Sequence, residues 1–318
     1  MSESPINSIS TIDGHYLHPE RAAVYLIKEG AEAAFIDNAT RFSVPNLLKG
    51  LAQQGLAPKQ VRYLIVTHVH LDHSGGTAEL LKHCPNATVI AHPRAGRHIV
   101  EPVKLVEGAR ALYGGDFFDE HYGEIEPVDA ARVQIVEEGE TLMLEDRTLT
   151  ILDTPGHAPH HISILDTGTN SMFTGDAFGL HYHQLQHGDH PFFTYVCAPP
   201  RFEPPEAKET VRRIAKSGVD RVYLTHYGMT EEVDRGAENL LHSLDAYDAA
   251  VNRAASTGLE GKELVGYCTE CTEEITKDDI RRAGLDPDDD EVTRWALSEL
   301  ATTSHGLAAL AERRRSGS

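Results

Sequence analysis

Basic residues are scarce in this sequence. Lys and Arg number 29 against 49 Asp and Glu in 318 residues, a formal charge of −20. That balance weighs against a nucleic-acid backbone or an anionic membrane surface as the main partner, since both need a basic footprint. Cysteine is sparse too: Cys84, Cys197, Cys268 and Cys271 are too few and too scattered for a disulfide scaffold, so reduced thiols are expected. Long apolar runs are missing. The best candidates, such as Tyr63–Val66, are strand-sized, far short of the roughly 20 residues that span a bilayer. The opening MSESPINSIS has neither the basic nor the apolar region of a secretory leader, and a cytoplasmic location is the expectation. With 40% hydrophobic and 25% charged residues, the composition is that of a globular protein with a sizeable core.

What the chain has in excess is histidine, at 19, seven of them between His157 and His190. The first two thirds alternate apolar runs with helical patterns, a mixed α/β arrangement. Ala22–Ile27 and Ala33–Asp37 read as a hairpin, Ser43 with Pro45 opens a helix that Gly55 stops, and Val61–Val66 reads as a buried strand. Helices are expected at 77–82 and 102–113, closed by Gly114-Gly115, and strands at 87–91, 133–136, 149–153, 162–165 and 171–174. Residues 180–205 show no period and read as a long irregular loop. A helix near 205–216 and a strand at 221–225 follow. Beyond about residue 230 the pattern is helical: Val233, Ala237, Leu240, Leu244, Tyr247 and Val251 draw one apolar stripe. The division expected is a catalytic domain over 1–230 and a helical extension over 231–318, packed on the body or at a homodimer seam. A last helix carries Val292, Ala296, Leu300, Thr303 and Leu307.

The strand 61–66 delivers Thr67-His-Val-His-Leu-Asp-His-Ser-Gly-Gly76. Three histidines at fixed positions would arise about 0.07 times by chance in a chain this rich in histidine, before Asp72 is also required. Imidazole and carboxylate are the ligand set of zinc and related divalent ions. In an extended segment His68 and His70 point to one side, and the turn at Ser74-Gly75-Gly76 can aim Asp72 and His73 at a second ion about 3.5–4 Å away.

This segment resembles the signature of the metallo-β-lactamase-fold superfamily, and the resemblance continues in order through Asp153-Thr-Pro-Gly-His157, Phe173-Thr-Gly-Asp176 and Leu224-Thr-His226. It implies a four-layer αββα sandwich. It also implies that His68, His70 and His157 hold one metal, Asp72, His73 and His226 the other, and that Asp176 bridges the two. Two divalent ions are expected, zinc first, with iron or manganese as alternatives. Such a pair lowers the pKa of bound water, so a metal-bridging hydroxide attacking a carbonyl or phosphorus is the expected chemistry, with Asp72 orienting it or passing a proton to the leaving group.

The body with its helical tail resembles the glyoxalase II-like thioesterases and lactonases, which implies a small-molecule thioester, ester or lactone substrate. A non-haem iron oxidoreductase of the persulfide dioxygenase kind and a non-catalytic metal-binding protein are the alternatives. Among the unassigned features, His181–His190 with Phe192, Phe193 and Tyr195 reads either as a substrate-facing rim or as a solvated loop. His160 or His161 is a candidate support for a ligand, and Tyr113, Phe117 and Phe118 read as core packing. Cys268 and Cys271 have metal-pair spacing but no second pair, which favours a structural role.

Overall fold

A computed structural model describes residues 8–317. Most of the segment from which the absence of a leader was read therefore lies outside the described residues. The chain divides into two compact units, the first built from residues up to 153 with 160–175 and 225–227, the second from 154–159, 176–224 and 228–318.

The first unit opens with β1 (Ile9–Asp13), β2 (Ala23–Glu29) and β3 (Glu32–Ile36), an antiparallel set. Helix α1 (Val44–Gln53) crosses to β4 (Val61–Ile65); α2 (Leu71–Ser74) and α3 (Thr77–His83) lead to β5 (Thr88–Ala91). Then α4 (Pro93–Val100), α5 (Val103–Tyr113) and α6 (Gly115–His121) lead to β6 (Val133–Ile135). Strands β3 to β6 pair in parallel, as helical crossovers require. Strands β7 (Thr141–Leu144), β8 (Arg147–Asp153), β9 (Ile162–Asp166) and β10 (Ser171–Gly175) form an antiparallel meander in a second sheet.

The run Ala23–Ile27 is buried at every position, because β2 is covered on both faces. On one side Val24, Leu26, Phe35 and Leu64 pack with Leu47 and Leu51 of α1 and Leu80 of α3. On the other, Tyr25 meets Phe173 of β10 at 5.4 Å between ring centroids. Each such side chain contributes about 1.5–3 kcal/mol by leaving water.

Ser43 sits at the N-cap of α1 but does not cap it. Its hydroxyl donates to Gly14 O at 2.5 Å, tying the helix start to the loop after β1. Several elements went unread in the sequence. Strand β1 is half exposed and lacks a continuous apolar run. Gly114 does not end the helical stretch: at φ +86° it turns the chain directly from α5 into α6.

In the second unit, α7 (Pro204–Lys216) precedes an antiparallel hairpin of β11 (Arg221–Leu224) and β12 (Gly228–Thr230). Helices α8 (Val233–Ser256), α9 (Gly261–Arg282), α10 (Asp290–Ala296) and α11 (Leu300–Ser316) follow. Helix α8 packs against α7, α9 and α11, and all six residues of its apolar stripe are buried. The single terminal helix expected from 292 onward is two. The chain turns at Leu297–Glu299, where Ser298 N–H bonds back to Trp295 O, and the Trp295 ring lies 5.2 Å from that of Tyr182. No helix among the described residues is long and apolar enough to cross a membrane.

Candidate metal centre

Strand β4 ends in an apolar core, and the chain just after it is still tied to its neighbours, Val66 N–H donating to Ile90 O at 3.0 Å and Thr67 O accepting from Ile162 N–H at 2.8 Å. The chain runs extended to His70, at φ −63° and ψ 146°, then coils into the four-residue α2. This switch places the motif's candidate ligands. His68 Nε2 and His70 Nδ1 converge to 2.9 Å, and the rings of His68 and His73 lie 4.1 Å apart. Asp72, His73 and His226 bring one ligand atom each to within 4.8 Å of one another; Asp72 Oδ2 is 3.3 Å from His226 Nε2 and 3.6 Å from His73 Nε2.

The orientation of these rings is set by partners the motif does not contain. His73 Nδ1 donates to Asp37 Oδ2 at 2.8 Å. Asp37 ends the β3 run with φ +58°, is fully buried, and also accepts from Thr67 N at 2.8 Å, Thr67 Oγ1 at 2.9 Å and Thr225 Oγ1 at 3.1 Å. His226 Nδ1 donates to Arg21 O at 2.6 Å. A carbonyl or carboxylate only accepts, so each Nδ1 carries the hydrogen and each Nε2 keeps a lone pair. Sequence reading missed Asp37. The signal available was an aspartate closing an otherwise apolar strand run.

Within the second unit the same rule recurs. His157 Nδ1 faces Val196 O at 3.1 Å, and its Nε2 lies 3.4 Å from Asp176 Oδ2. The loop carrying His157 is pressed onto α7: a Cβ on Gly156, whose φ is +121°, would lie 2.3 Å from the Ala207 backbone. Gly175 is equally constrained in the first unit. At φ +50°, its Cβ would meet His161 Nε2 at 2.7 Å and Thr67 Oγ1 at 2.9 Å.

His160 and His161 both gather near the motif, their ring centroids 6.3 and 4.9 Å from that of His68. The loop after Asp176 differs from both readings of it. Phe192, Phe193 and Tyr195 are interior, each 1% exposed, and the His181 ring lies tilted against that of Phe193 at 4.4 Å, while His187 and His190 are exposed. Cys268 and Cys271 are buried free thiols. Burial pushes Cys268 up to about 11, which keeps the proton on sulfur near neutral pH.

Histidines and aspartates gathered after strand ends on an α/β scaffold form groups able to bind a metal ion. The chain belongs to the metallo-beta-lactamase superfamily, whose sequence profile matches residues 19–226. A structure of a metallo-beta-lactamase family protein from Thermus thermophilus superposes with a TM-score of 0.64 at 20% identity, covering 98% of this chain and 94% of that one. An archaeal superfamily protein from Sulfolobus tokodaii gives 0.62 at 22% identity, covering 86% and 98%. At these identities the likeness establishes the fold, the expected αββα sandwich with a helical C-terminal region. A hydroxyacylglutathione hydrolase of Cupriavidus taiwanensis is 34% identical over 158 residues, 48% of this chain and 47% of that protein. The chain spans about half the length of the curated relatives it matches.

Proposed function

We propose that the protein is a hydrolase dependent on two divalent ions, zinc first, that cleaves a small-molecule thioester, ester or lactone with water. The observation that carries this reading is the shared anchoring of His73, His226 and His157, each holding its Nδ1 hydrogen on a fixed acceptor so that Nε2 is left as the ligand. The donor set of imidazoles and carboxylates suits zinc. His68, His70 and His157 would hold one ion, Asp72, His73 and His226 the other, with Asp176 spanning both, in the order that the family motifs place them. Bound there, the ions lower the pKa of water and polarise the acyl oxygen.

The chain's own groups do the rest. Asp37 and Arg21 O hold two rings in the ligating tautomer. Asp72 retains 19% side-chain exposure while His73 and His226 retain 0% and 4%, so it is the acid of this trio that reaches a substrate. It takes the proton from the attacking water and passes it to the departing sulfur or oxygen, as the carbon–heteroatom bond breaks and the water oxygen joins the acyl carbon. The 34% identical relative named as a hydroxyacylglutathione hydrolase supports the thioester reading. A small-molecule substrate without nucleic acid, handled in the cytoplasm, goes with this proposal. A homodimer through the C-terminal helices would use faces other than the α8 stripe, whose residues are buried within one chain.

Metal analysis of protein purified without added metal, paired with an ester, thioester and lactone panel, is the test. Two zinc per chain with hydrolysis is expected, and His70→Ala or Asp176→Ala should lose both metal and turnover. One iron with oxygen uptake replaces the proposal with an oxidoreductase. Full occupancy without turnover on the panel sinks it in favour of a non-catalytic metal binder.

A further inference from the structure

The loop that carries His157 is tied to residues 196–210 by its ring and by the two carbonyls before it. His157 Nδ1 donates to Val196 O at 3.1 Å, Gly156 O accepts from Glu203 N–H at 2.9 Å, and Pro155 O accepts from Thr210 Oγ1 at 2.7 Å. Thr210 belongs to α7 and is fixed by its helix. Val196 and Glu203 lie in residues 186–203, which run as turns and irregular chain, so no regular ladder decides where their backbone groups point. Whatever holds this stretch therefore also holds His157.

Its main holder is α11. Thr303, Gly306 and Arg313 follow one another at steps of 3 and 7 residues and lie along one face of the helix. Thr303 Oγ1 accepts from Cys197 N–H at 3.4 Å. Gly306 brings the helix so near that a Cβ there would lie 1.7 Å from Cys197 O. Glycine weakens a helix interior relative to alanine, and this approach is what it permits. Arg313 spreads its guanidinium over Pro200 O, Phe202 O at 2.9 Å and the Glu203 carboxylate at 2.8 Å, a fork that a lysine ammonium cannot reproduce. Asp279 of α9 adds one tie from the other end, accepting from the Thr194 hydroxyl at 3.0 Å.

We propose that α11 is the positioning element for His157 and that Arg313 is its principal positioning residue. By pinning residues 196–203 it sets the Val196 carbonyl and the Glu203 N–H where they orient the His157 ring for its ion. The assignment rests on the reading of His157 as a metal ligand above. His73 and His226 are oriented by other groups, Asp37 and Arg21 O, so disturbing α11 should weaken one ion and spare the other.

The test is a stepwise zinc titration of the metal-free full chain against chromophoric chelators. Arg313 is partly exposed in the last turn of its helix, so Arg313→Ala should fold. It should weaken one of the two ions about tenfold and leave the other within about threefold. Arg313→Lys, which can keep one of the bonds, should recover part of the loss, whereas a merely structural defect lowers both ions alike. In a His157→Ala background the same change should alter the remaining affinity by less than about twofold. Nitrogen-15 shifts of the His157 ring in the metal-free chain read the positioning without zinc: the wild type should show the Nδ1–H form, and Arg313→Ala a mixture with the Nε2–H form. Equal weakening of both ions, no weakening of either, or an Arg313→Ala effect that persists undiminished in the His157→Ala background overturns the proposal and leaves the hydrolase reading standing. If the wild type takes up no zinc, or His157→Ala binds it as the wild type does, the ligand reading itself falls. The ring's positioning is then decided by the nitrogen-15 shifts alone, and a tautomer unchanged in Arg313→Ala overturns it.

Discussion

Replacing Asp37 by Asn should separate folding from metal binding. Its carboxylate is buried and accepts on both sides: Thr67 N reaches Oδ1 at 2.8 Å, while His73 Nδ1 and Thr225 Oγ1 reach Oδ2 at 2.8 and 3.1 Å. An asparagine of the same shape has one accepting and one donating end. The Thr67 backbone N–H is fixed and only donates, so the carbonyl must turn to it and the amide NH₂ to His73. A threonine hydroxyl adapts by rotating. His73 adapts only by moving its hydrogen to Nε2, the nitrogen proposed to ligate. Since most hydrogen bonds are kept, stability should change by less than about 1.5 kcal/mol, while metal affinity falls by about 10- to 100-fold. Asp37→Ala is the contrast: it leaves Thr67 N–H and His73 Nδ1–H without this acceptor at about 1–3 kcal/mol each, so stability and metal fall together. Zinc competition against a chromophoric chelator and urea unfolding measure the two quantities. Wild-type zinc affinity in Asp37→Asn would refute the reasoning, as would equal losses of stability in both variants.

Asp166 pairs with Arg147 through both carboxylate oxygens, the side chains being 0% and 3% exposed. Asp166→Ala leaves the buried guanidinium only Glu29 at 3.6 Å and the Ser8 hydroxyl and should cost about 3 kcal/mol, and a shift under 1 kcal/mol in urea unfolding would contradict this. Asp279 is a buried carboxyl pushed up to about 7 by desolvation, against the donors Ser243 and Thr194. The folded chain keeps a proton that the unfolded chain releases near pH 4, so this group's contribution is full below about pH 4 and is lost as pH rises to about 7, a decline of about 4 kcal/mol. Asp279→Asn should remove that decline, so its stability relative to wild type rises with pH and levels off above about 7; a pH-independent difference would refute it.

What was legible in the sequence was what local chemistry encodes. Val61–Ile65 reads as a strand because it is apolar at every position but the exposed Arg62, and the motif after it announces itself because four residues of metal-ligand type in six positions have no cheap structural explanation. The stripe from Val233 to Val251 repeats often enough to declare a helix. Less legible were elements whose identity depends on what covers them. Strand β1 is half exposed, and α6 begins within a glycine pair that normally signals an end. The aromatic run Phe192–Tyr195 reads as a rim from composition but is interior, since the surrounding helices that bury it lie far along the chain.

Asp37 shows the same limit within the site. It is one aspartate among many in the sequence, and its one local signal, closing an apolar strand run, does not say what it holds. Its meaning comes from three places that only the fold unites: the backbone of Thr67, the ring of His73 and the hydroxyl of Thr225. A ligand must expose its lone pair, and a residue of the right type in the right motif does so visibly. The group that fixes which nitrogen bears that lone pair need only be buried and accept a hydrogen bond, a demand that Asp37, Arg21 O and Val196 O meet with different chemistry. Ligands are therefore readable one by one, while their orientation is a property of the packed sheet ends.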